Sequence, residues 1–218
     1  MSGLALFDLD NTLVDRSDAF RRWAVDFADA HDAENDRDVA VAWLVERDGD
    51  GYVSRTDFWT AVREHYGLAA PVPDLVAQYT VRYPGYVTVE PGVKDAVTRL
   101  RVAGWRIAVV TNGRDEAQRA KVTRSGLDAH VDATIVSEGI GIAKPDPRIF
   151  ALAAETVGAS LKGGWMVGDH AENDIVGGAE VGLRTVWIRR GRDWPDGLTL
   201  PDMIVDDIPA AVDHILAE

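Results

Sequence analysis

The sequence contains no cysteine, which excludes disulfide bonds, thiolate catalysis and cysteine-bound zinc. It also has no apolar run long enough to cross a bilayer, so we expect no membrane association and a cytoplasmic location. Basic side chains are outnumbered, since 23 Lys and Arg stand against 36 Asp and Glu and give a formal net charge of −13. Such a chain repels nucleic-acid backbones over most of its surface, so we expect no nucleic-acid partner.

The order of apolar patterns along the chain predicts an α/β fold with a helical insertion. Residues 4–7 form a short apolar run typical of a buried strand, and from residue 106 onward such runs alternate with helical periodicity. This alternation indicates a Rossmann-like, doubly wound parallel sheet. Residues 16–86 show helical spacing with no convincing strand. We therefore predict a core domain formed by residues 1–15 plus 87–218, and an inserted helical domain formed by residues 16–86.

Polar side chains follow each predicted strand of the core. In open parallel sheets, ligands bind at the carboxyl ends of the strands, beside the point where the strand order reverses. The side chains concerned are Asp8 and Asp10 after the first strand, Thr111 and Asn112 after the second, Lys144 in the loop beyond the third, and Asp169 after the fourth. We expect a single site to collect them.

The first two carboxylates suit the hydrolysis of a phosphate monoester. Residues two apart on an extended chain point to the same side, so Asp8 and Asp10 can act on one substrate. Asp8 can attack phosphorus and form an acyl phosphate. Asp10 can protonate the leaving oxygen and later take a proton from the attacking water.

An acidic site needs positive charge before it can accept an anionic substrate. Asp169 and Asp174 supply hard oxygen ligands suited to octahedral Mg²⁺, which would make the acidic cluster workable. Lys144 adds a fixed positive charge, and Thr111 with backbone N–H groups at the following helix start can hold phosphoryl oxygens. The predicted cofactor is therefore Mg²⁺ and the predicted partner a small phosphorylated metabolite.

Four motifs in this order resemble those of the haloacid dehalogenase superfamily of phosphohydrolases. They are Phe7-Asp8-Leu9-Asp10-Asn11-Thr12-Leu13, Val109-Val110-Thr111-Asn112-Gly113, Lys144-Pro145-Asp146-Pro147-Arg148-Ile149-Phe150 and Gly168-Asp169-His170-Ala171-Glu172-Asn173-Asp174. The resemblance runs from about residue 5 to residue 191, and the helical insertion stands where this superfamily places its small helical cap.

The resemblance implies a role for each candidate site residue. The implied roles are Asp8 as nucleophile, Asp10 as acid and base, Thr111, Asn112 and Lys144 as phosphate ligands, Asp8, the Asp10 backbone carbonyl and Asp169 as metal ligands, and Asp174 as support for the metal. His170 stands where the family often has a small hydroxyl residue, and we assign it no catalytic role.

Other functions on the same fold stay open at this point. A 2-haloacid dehalogenase needs the Asp nucleophile but neither metal nor acid, and a sugar phosphomutase would pass the phosphoryl group to a sugar hydroxyl instead of water. A non-catalytic binding module is a third possibility, because a fold does not imply an activity. The metabolite and the oligomeric state cannot be read from the motifs.

Features of the helical insertion invite separate predictions. Ser17 or Asp18 is expected to cap its first helix. Residues 46–57 resemble a calcium-binding EF-hand loop, although an acidic turn between helices is the interpretation we favour, since Glu46 and Asp57 depart from the usual ligands. Arg16 and Arg55 are among the candidate substrate contacts of this segment.

Overall fold

The computed structural model describes residues 3–31 and 36–218. Within these residues the chain forms a six-stranded sheet in the order β3-β2-β1-β4-β5-β6, and every strand pair is parallel. The strands are β1 (Leu4–Phe7), β2 (Arg106–Thr111), β3 (Ala133–Val136), β4 (Trp165–Gly168), β5 (Arg184–Ile188) and β6 (Met203–Val205). The predicted Rossmann-like, doubly wound α/β fold is confirmed.

Ten α-helices accompany the sheet in the described part of the chain. They are α1 (Arg16–His31), α2 (Arg37–Asp48), α3 (Arg55–Tyr66), α4 (Val72–Arg82), α5 (Val93–Val102), α6 (Asp115–Ser125), α7 (Ser137–Ile140), α8 (Pro147–Thr156), α9 (Gly177–Glu180) and α10 (Ile208–Ala217). A π-helical segment, Ala171–Val176, leads directly into α9. Within the described residues, none of these helices combines the length and apolar character that a bilayer crossing needs.

The central strands β1 and β4 consist of residues that are buried on both faces of the sheet. All four residues of β1 are buried, as are all four of β4. The strands and α8 share a hydrophobic core that includes Leu6, Val110, Phe150 and Met166. Burial of each such side chain contributes about 1.5–3 kcal/mol to folding. The core therefore fixes the strand ends from which the polar loops emerge.

The described residues divide into two compact units. One comprises the described residues up to Asp15 together with Val89–Glu218, and the other comprises those of Arg16–Thr88. That these units act as a core domain and a cap domain remains our prediction. The predicted ranges also include residues 1–2 and 32–35, which lie outside the described residues.

Aromatic side chains form the interior of the Arg16–Thr88 unit. Trp23 is central, because its ring centroid lies 5.0 Å from that of Tyr79, 5.7 Å from Trp59 and 5.9 Å from Phe58, in edge-to-face arrangements. Such geometry is favourable for aromatic pairs beyond the area they bury. These rings come from three helices, α1, α3 and α4, so the cluster joins them into one body.

The segment that resembles a calcium loop is organised by arginine. Asp48 is 1% exposed and receives Arg16 Nη2 at 2.6 Å and Arg55 Nη2 at 2.8 Å. Asp50 accepts a hydrogen bond from the Ser17 hydroxyl at 3.1 Å. These contacts support the acidic-turn interpretation. They also engage Arg16 and Arg55, two of the candidate substrate contacts, within their own unit.

Two predicted helix starts were wrong. Helix α1 begins at Arg16, so Ser17 and Asp18 lie in its first turn, where Asp18 pairs with Arg22 one turn later at 2.8 Å. The sequence pattern also predicts a helix over Asp174–Val181, whereas the helical segment of the structure begins at Ala171, with π-helical geometry. Its cap is His170, whose Nδ1 accepts the backbone N–H groups of the second and third following residues at 3.2 Å.

Candidate active site

Two of the candidate carboxylates lie at the point where the strand order reverses. Strand β1 pairs with β2 on one side and β4 on the other, with Phe7 opposite Val167 in the second pair. Asp8 follows β1 directly and donates its backbone N–H to Val167 O at 2.9 Å. Asp169 follows β4 directly. The sheet itself therefore brings these two acids to the same edge.

Lys144 is the buried cation of the site. Its Nζ lies 2.6 Å from Asp8 Oδ1 and 2.7 Å from Asp174 Oδ1, and the residue is 5% exposed. Burial alone would lower the pKa of this ammonium group. The carboxylates of Asp174 and Asp8 outweigh burial and raise the pKa above its ordinary value, so Lys144 stays charged.

Burial, and after it the neighbouring carboxylates, disfavour the ionised form of the Asp8 carboxyl group. Burial raises the pKa of its carboxyl group to about 8; Lys144 opposes the shift, while Asp174 and Asp169 add to it. A protonated carboxyl group is a poor nucleophile, so the site favours a second cation that would return Asp8 to its ionised form.

The carboxylates fit such a cation. One oxygen from each of Asp8, Asp169 and Asp174 lies within 4.8 Å of the others, and all three residues are buried. A buried set of hard oxygen donors is the ligand type that Mg²⁺ and Ca²⁺ prefer. Asp169 and Asp174 were singled out from the sequence for this purpose, and the fold brings them to Asp8.

Asp174 is held close to the strand end by the absence of a side chain at Gly168. A Cβ atom at residue 168 would lie 2.2 Å from Asp174 Oδ2, a distance that no real Cβ tolerates. The same oxygen accepts the backbone N–H of His170 at 3.0 Å, and Oδ1 accepts Lys144. Gly168 is therefore required for Asp174 to enter the site.

Asn112 fastens the lysine loop to the end of β2. Its Nδ2 donates to Lys144 O at 2.9 Å, and its Oδ1 accepts the Lys144 backbone N–H at 2.8 Å. Both ends of the amide thus position Lys144. That Asn112 also binds phosphate stays a prediction.

Asp169 is supported by residues that the sequence analysis missed. Arg192 Nη2 donates to Asp169 Oδ2 at 2.9 Å and to its backbone carbonyl at 2.8 Å, and Trp187 Nε1 donates to the same carbonyl at 2.8 Å. The Trp194 ring packs edge-on against Trp187 with centroids 5.0 Å apart. Trp194 therefore packs against a side chain that holds the Asp169 backbone carbonyl.

Asp10 is likewise held by residues that were missed. Lys121 Nζ lies 2.7 and 2.6 Å from its two carboxylate oxygens, and Gln118 Nε2 donates to Asp10 Oδ2 at 2.9 Å and to Thr111 Oγ1 at 2.6 Å. Gln118 and Lys121 are three apart and therefore share one face of α6. The spacing of three residues could have indicated that the two side chains act together. The sequence does not show that they contact Asp10.

Known proteins of similar sequence are hydrolases. A family model described as haloacid dehalogenase-like hydrolase matches residues 3–182. The glyceraldehyde 3-phosphate phosphatase of Pyrococcus abyssi is 29% identical over 88% of this chain and 83% of the relative. The ribulose-1,5-bisphosphate 5-phosphatase of Halopiger xanaduensis is 30% identical over 85% of this chain and 84% of the relative.

The solved structure of a 2-haloacid dehalogenase is also similar to this chain. The 2-haloacid dehalogenase from Pseudomonas syringae pv. tomato DC3000 is 25% identical, with a TM-score of 0.68, over 100% of this chain and 99% of that one. Phosphatases and a dehalogenase thus share this architecture. The superfamily resemblance of the four motifs is confirmed, and the chain belongs to the haloacid dehalogenase-like hydrolases.

Proposed function

We propose that this protein is a Mg²⁺-dependent phosphohydrolase that removes phosphate from a small phosphorylated metabolite through an aspartyl-phosphate on Asp8. The observation that carries the proposal is the buried arrangement of Asp8 between the ammonium group of Lys144 and the carboxylates of Asp169 and Asp174. The two phosphatase relatives, each matched over more than four fifths of its length, support the same reaction class.

The first chemical step belongs to Asp8. One of its carboxylate oxygens forms a bond to phosphorus while the bond from phosphorus to the leaving oxygen breaks. Lys144 is placed to balance the charge of the phosphoryl oxygens, since its Nζ already lies 2.6 Å from Asp8 Oδ1. Thr111, at the end of β2 and 1% exposed, is the predicted hydroxyl ligand of the phosphoryl group.

Asp10 handles the protons of both steps. It donates a proton to the leaving oxygen as the aspartyl-phosphate forms. As a carboxylate it then takes a proton from the water that attacks phosphorus, which releases inorganic phosphate and regenerates Asp8. A side chain that is 23% exposed can exchange this proton with substrate and water, whereas the more deeply buried Asp8 cannot do so as readily.

Asp8, Asp169 and Asp174 are the side chains that would hold Mg²⁺, with the Asp10 backbone carbonyl as a further predicted ligand. When bound, the ion supplies positive charge to the carboxylates and to the phosphoryl group of the substrate. This charge is what an acidic protein with a formal net charge of −13 needs in order to accept an anionic substrate.

Carbon–halogen hydrolysis is the alternative that an observation supports, namely the likeness to a 2-haloacid dehalogenase. Displacement of halide by Asp8 needs neither a proton donor nor a metal. That reaction has no use for a proton donor held by Lys121 and Gln118, as Asp10 is here. It also has no use for a cluster of three buried carboxylates. These features favour phosphate hydrolysis.

The test is a parallel assay of both reactions. We expect the protein to release inorganic phosphate from 4-nitrophenyl phosphate and from members of a panel of phosphorylated metabolites when Mg²⁺ is present. Chelation with EDTA is expected to lower the rate by at least about 10²-fold, since the ion contributes several kcal/mol of charge stabilisation. The panel also identifies the substrate class.

The same assay distinguishes the alternatives. Halide release from 2-haloacids that is unaffected by EDTA, without phosphate release, would show a dehalogenase and contradict the proposal. Rearrangement of a sugar phosphate without net phosphate release would show a phosphomutase. Phosphate release at the full rate in EDTA would support the phosphohydrolase activity but refute its dependence on Mg²⁺.

A further inference from the structure

The side chain of Asp10 is held at both carboxylate oxygens by one helix. Lys121 Nζ contacts Oδ1 at 2.7 Å and Oδ2 at 2.6 Å, while Gln118 Nε2 donates to Oδ2 at 2.9 Å. Both donors come from α6, more than 100 residues away in the chain. The rotamer of Asp10 is therefore determined by tertiary structure.

These donors are themselves fixed. Lys121 is 5% exposed and Gln118 is 3% exposed, although both residue types normally lie at the surface. The Gln118 amide also donates to Thr111 Oγ1 at 2.6 Å, which connects α6 to the end of β2. Helix α6 begins four residues beyond Thr111, so the connection spans a short, well-defined turn.

Burying a lysine is costly, so its position calls for a reason. An uncompensated ammonium group in the interior costs several kcal/mol, and a pair with a carboxylate offsets this cost only when geometry is good. Here the ammonium group meets both oxygens of one carboxylate. Replacing a whole buried ion pair by apolar residues of similar volume is often neutral or stabilising, so stability alone does not explain why the pair is present. The pair is better explained by what it does to Asp10.

We propose that Lys121, assisted by Gln118, is a positioning residue that holds the Asp10 carboxyl group in the orientation needed to pass a proton to the leaving oxygen. The inference rests on the proposed phosphohydrolase function and adds a residue to it. Lys121 contacts Asp10 and acts through it. Displacing a catalytic group by about 1 Å can slow a reaction strongly. Loss of the contacts from Lys121 is therefore expected to slow the proton transfer by Asp10 selectively.

Leaving groups of different acidity separate this role from a structural one. 4-Nitrophenolate leaves without help from an acid, whereas phenolate is more basic and needs the proton. The experiment compares Lys121→Met with wild type on 4-nitrophenyl phosphate and phenyl phosphate, with Mg²⁺ and enzyme in excess, so that only the first turnover is measured. Lys121→Arg retains the charge, and Lys162→Met removes a charge from an exposed position.

The expected result is a selective loss. Lys121→Met should release phenol at least about 10-fold more slowly, a part of the 10²–10⁴-fold that general acid catalysis supplies, and 4-nitrophenol less than about 3-fold more slowly. Lys121→Arg should recover part of the phenyl phosphate rate, and Lys162→Met should match wild type. Gln118→Leu should show the same selectivity with a smaller amplitude.

Equal losses on the two esters, or no loss on either, would overturn the inference. If Lys121→Met does not fold, as judged by circular dichroism, the comparison is made with Gln118→Leu, for which the same two outcomes decide. The wild type serves as the separate check on the underlying function. Failure of the wild type to hydrolyse either ester would refute the phosphohydrolase itself, whereas unselective variants of an active wild type refute only the role of Lys121.

Discussion

Replacing Asp8 with asparagine is expected to lower phosphate release by at least about 10³-fold, because the nucleophile is lost while its surroundings stay in place. The amide retains an oxygen that can accept the hydrogen bond from Lys144 Nζ. It also removes a carboxyl group that burial disfavours in ionised form, as the raised pKa of about 8 indicates. The free energy of unfolding should therefore change by less than about 1 kcal/mol.

Steady-state phosphate release measures the predicted loss of activity, and urea denaturation measures the free energy of unfolding. Asp128→Asn is the matched control, because it makes the same chemical change at an exposed position. An Asp8→Asn protein that is folded and still turns over at a tenth of the wild-type rate or more would show that another group attacks phosphorus.

Replacing Lys144 with methionine is expected to affect both stability and activity. The change leaves Asp8 and Asp174 buried beside Asp169 without their ammonium partner, and breaking a buried pair in this way costs about 3–5 kcal/mol. Mg²⁺ should restore part of this loss, since it brings positive charge to the same carboxylates. Phosphate release should fall by at least about 10²-fold because a group that stabilises transition-state charge is gone.

Urea denaturation in EDTA and in Mg²⁺ checks the Lys144→Met prediction, with Lys162→Met as the control at an exposed position. We expect the free energy of unfolding of Lys144→Met to differ strongly between EDTA and Mg²⁺, and that of the control to differ less. Equal stability of Lys144→Met and wild type in EDTA would mean that the buried carboxylates do not depend on Lys144 for their charge balance.

The sheet and its polar strand ends could be predicted because they depend on local patterns. Apolar runs such as residues 4–7 mark buried strands, and parallel strands place the residues that follow them at one edge. Asp8, Asp169 and Lys144 could thus be assigned to one site from the order of the motifs alone. The structure then added the contacts of these residues and the direction in which the pKa values of Asp8 and Lys144 are shifted.

The supporting residues could not be predicted because their partners are distant in the chain. Lys121 and Gln118 stand on a helix whose sequence is polar on most sides, so no apolar stripe indicates which face is buried. Arg192 lies in the loop after β5 and reaches Asp169, and in the same loop Trp194 packs on Trp187. Contacts of this kind depend on how α6 and the loop pack against the sheet. The periodicity of apolar residues in the sequence does not specify this packing.

The most direct test of the account is to look for the phosphoryl group on Asp8 itself. The enzyme would be mixed with 4-nitrophenyl phosphate and Mg²⁺, quenched in acid during turnover, digested and analysed by mass spectrometry. We expect the peptide that contains Asp8 to carry one phosphoryl group, in the wild type and not in Asp8→Asn. Phosphate release at the full rate with the phosphoryl group on another residue would contradict the central claim.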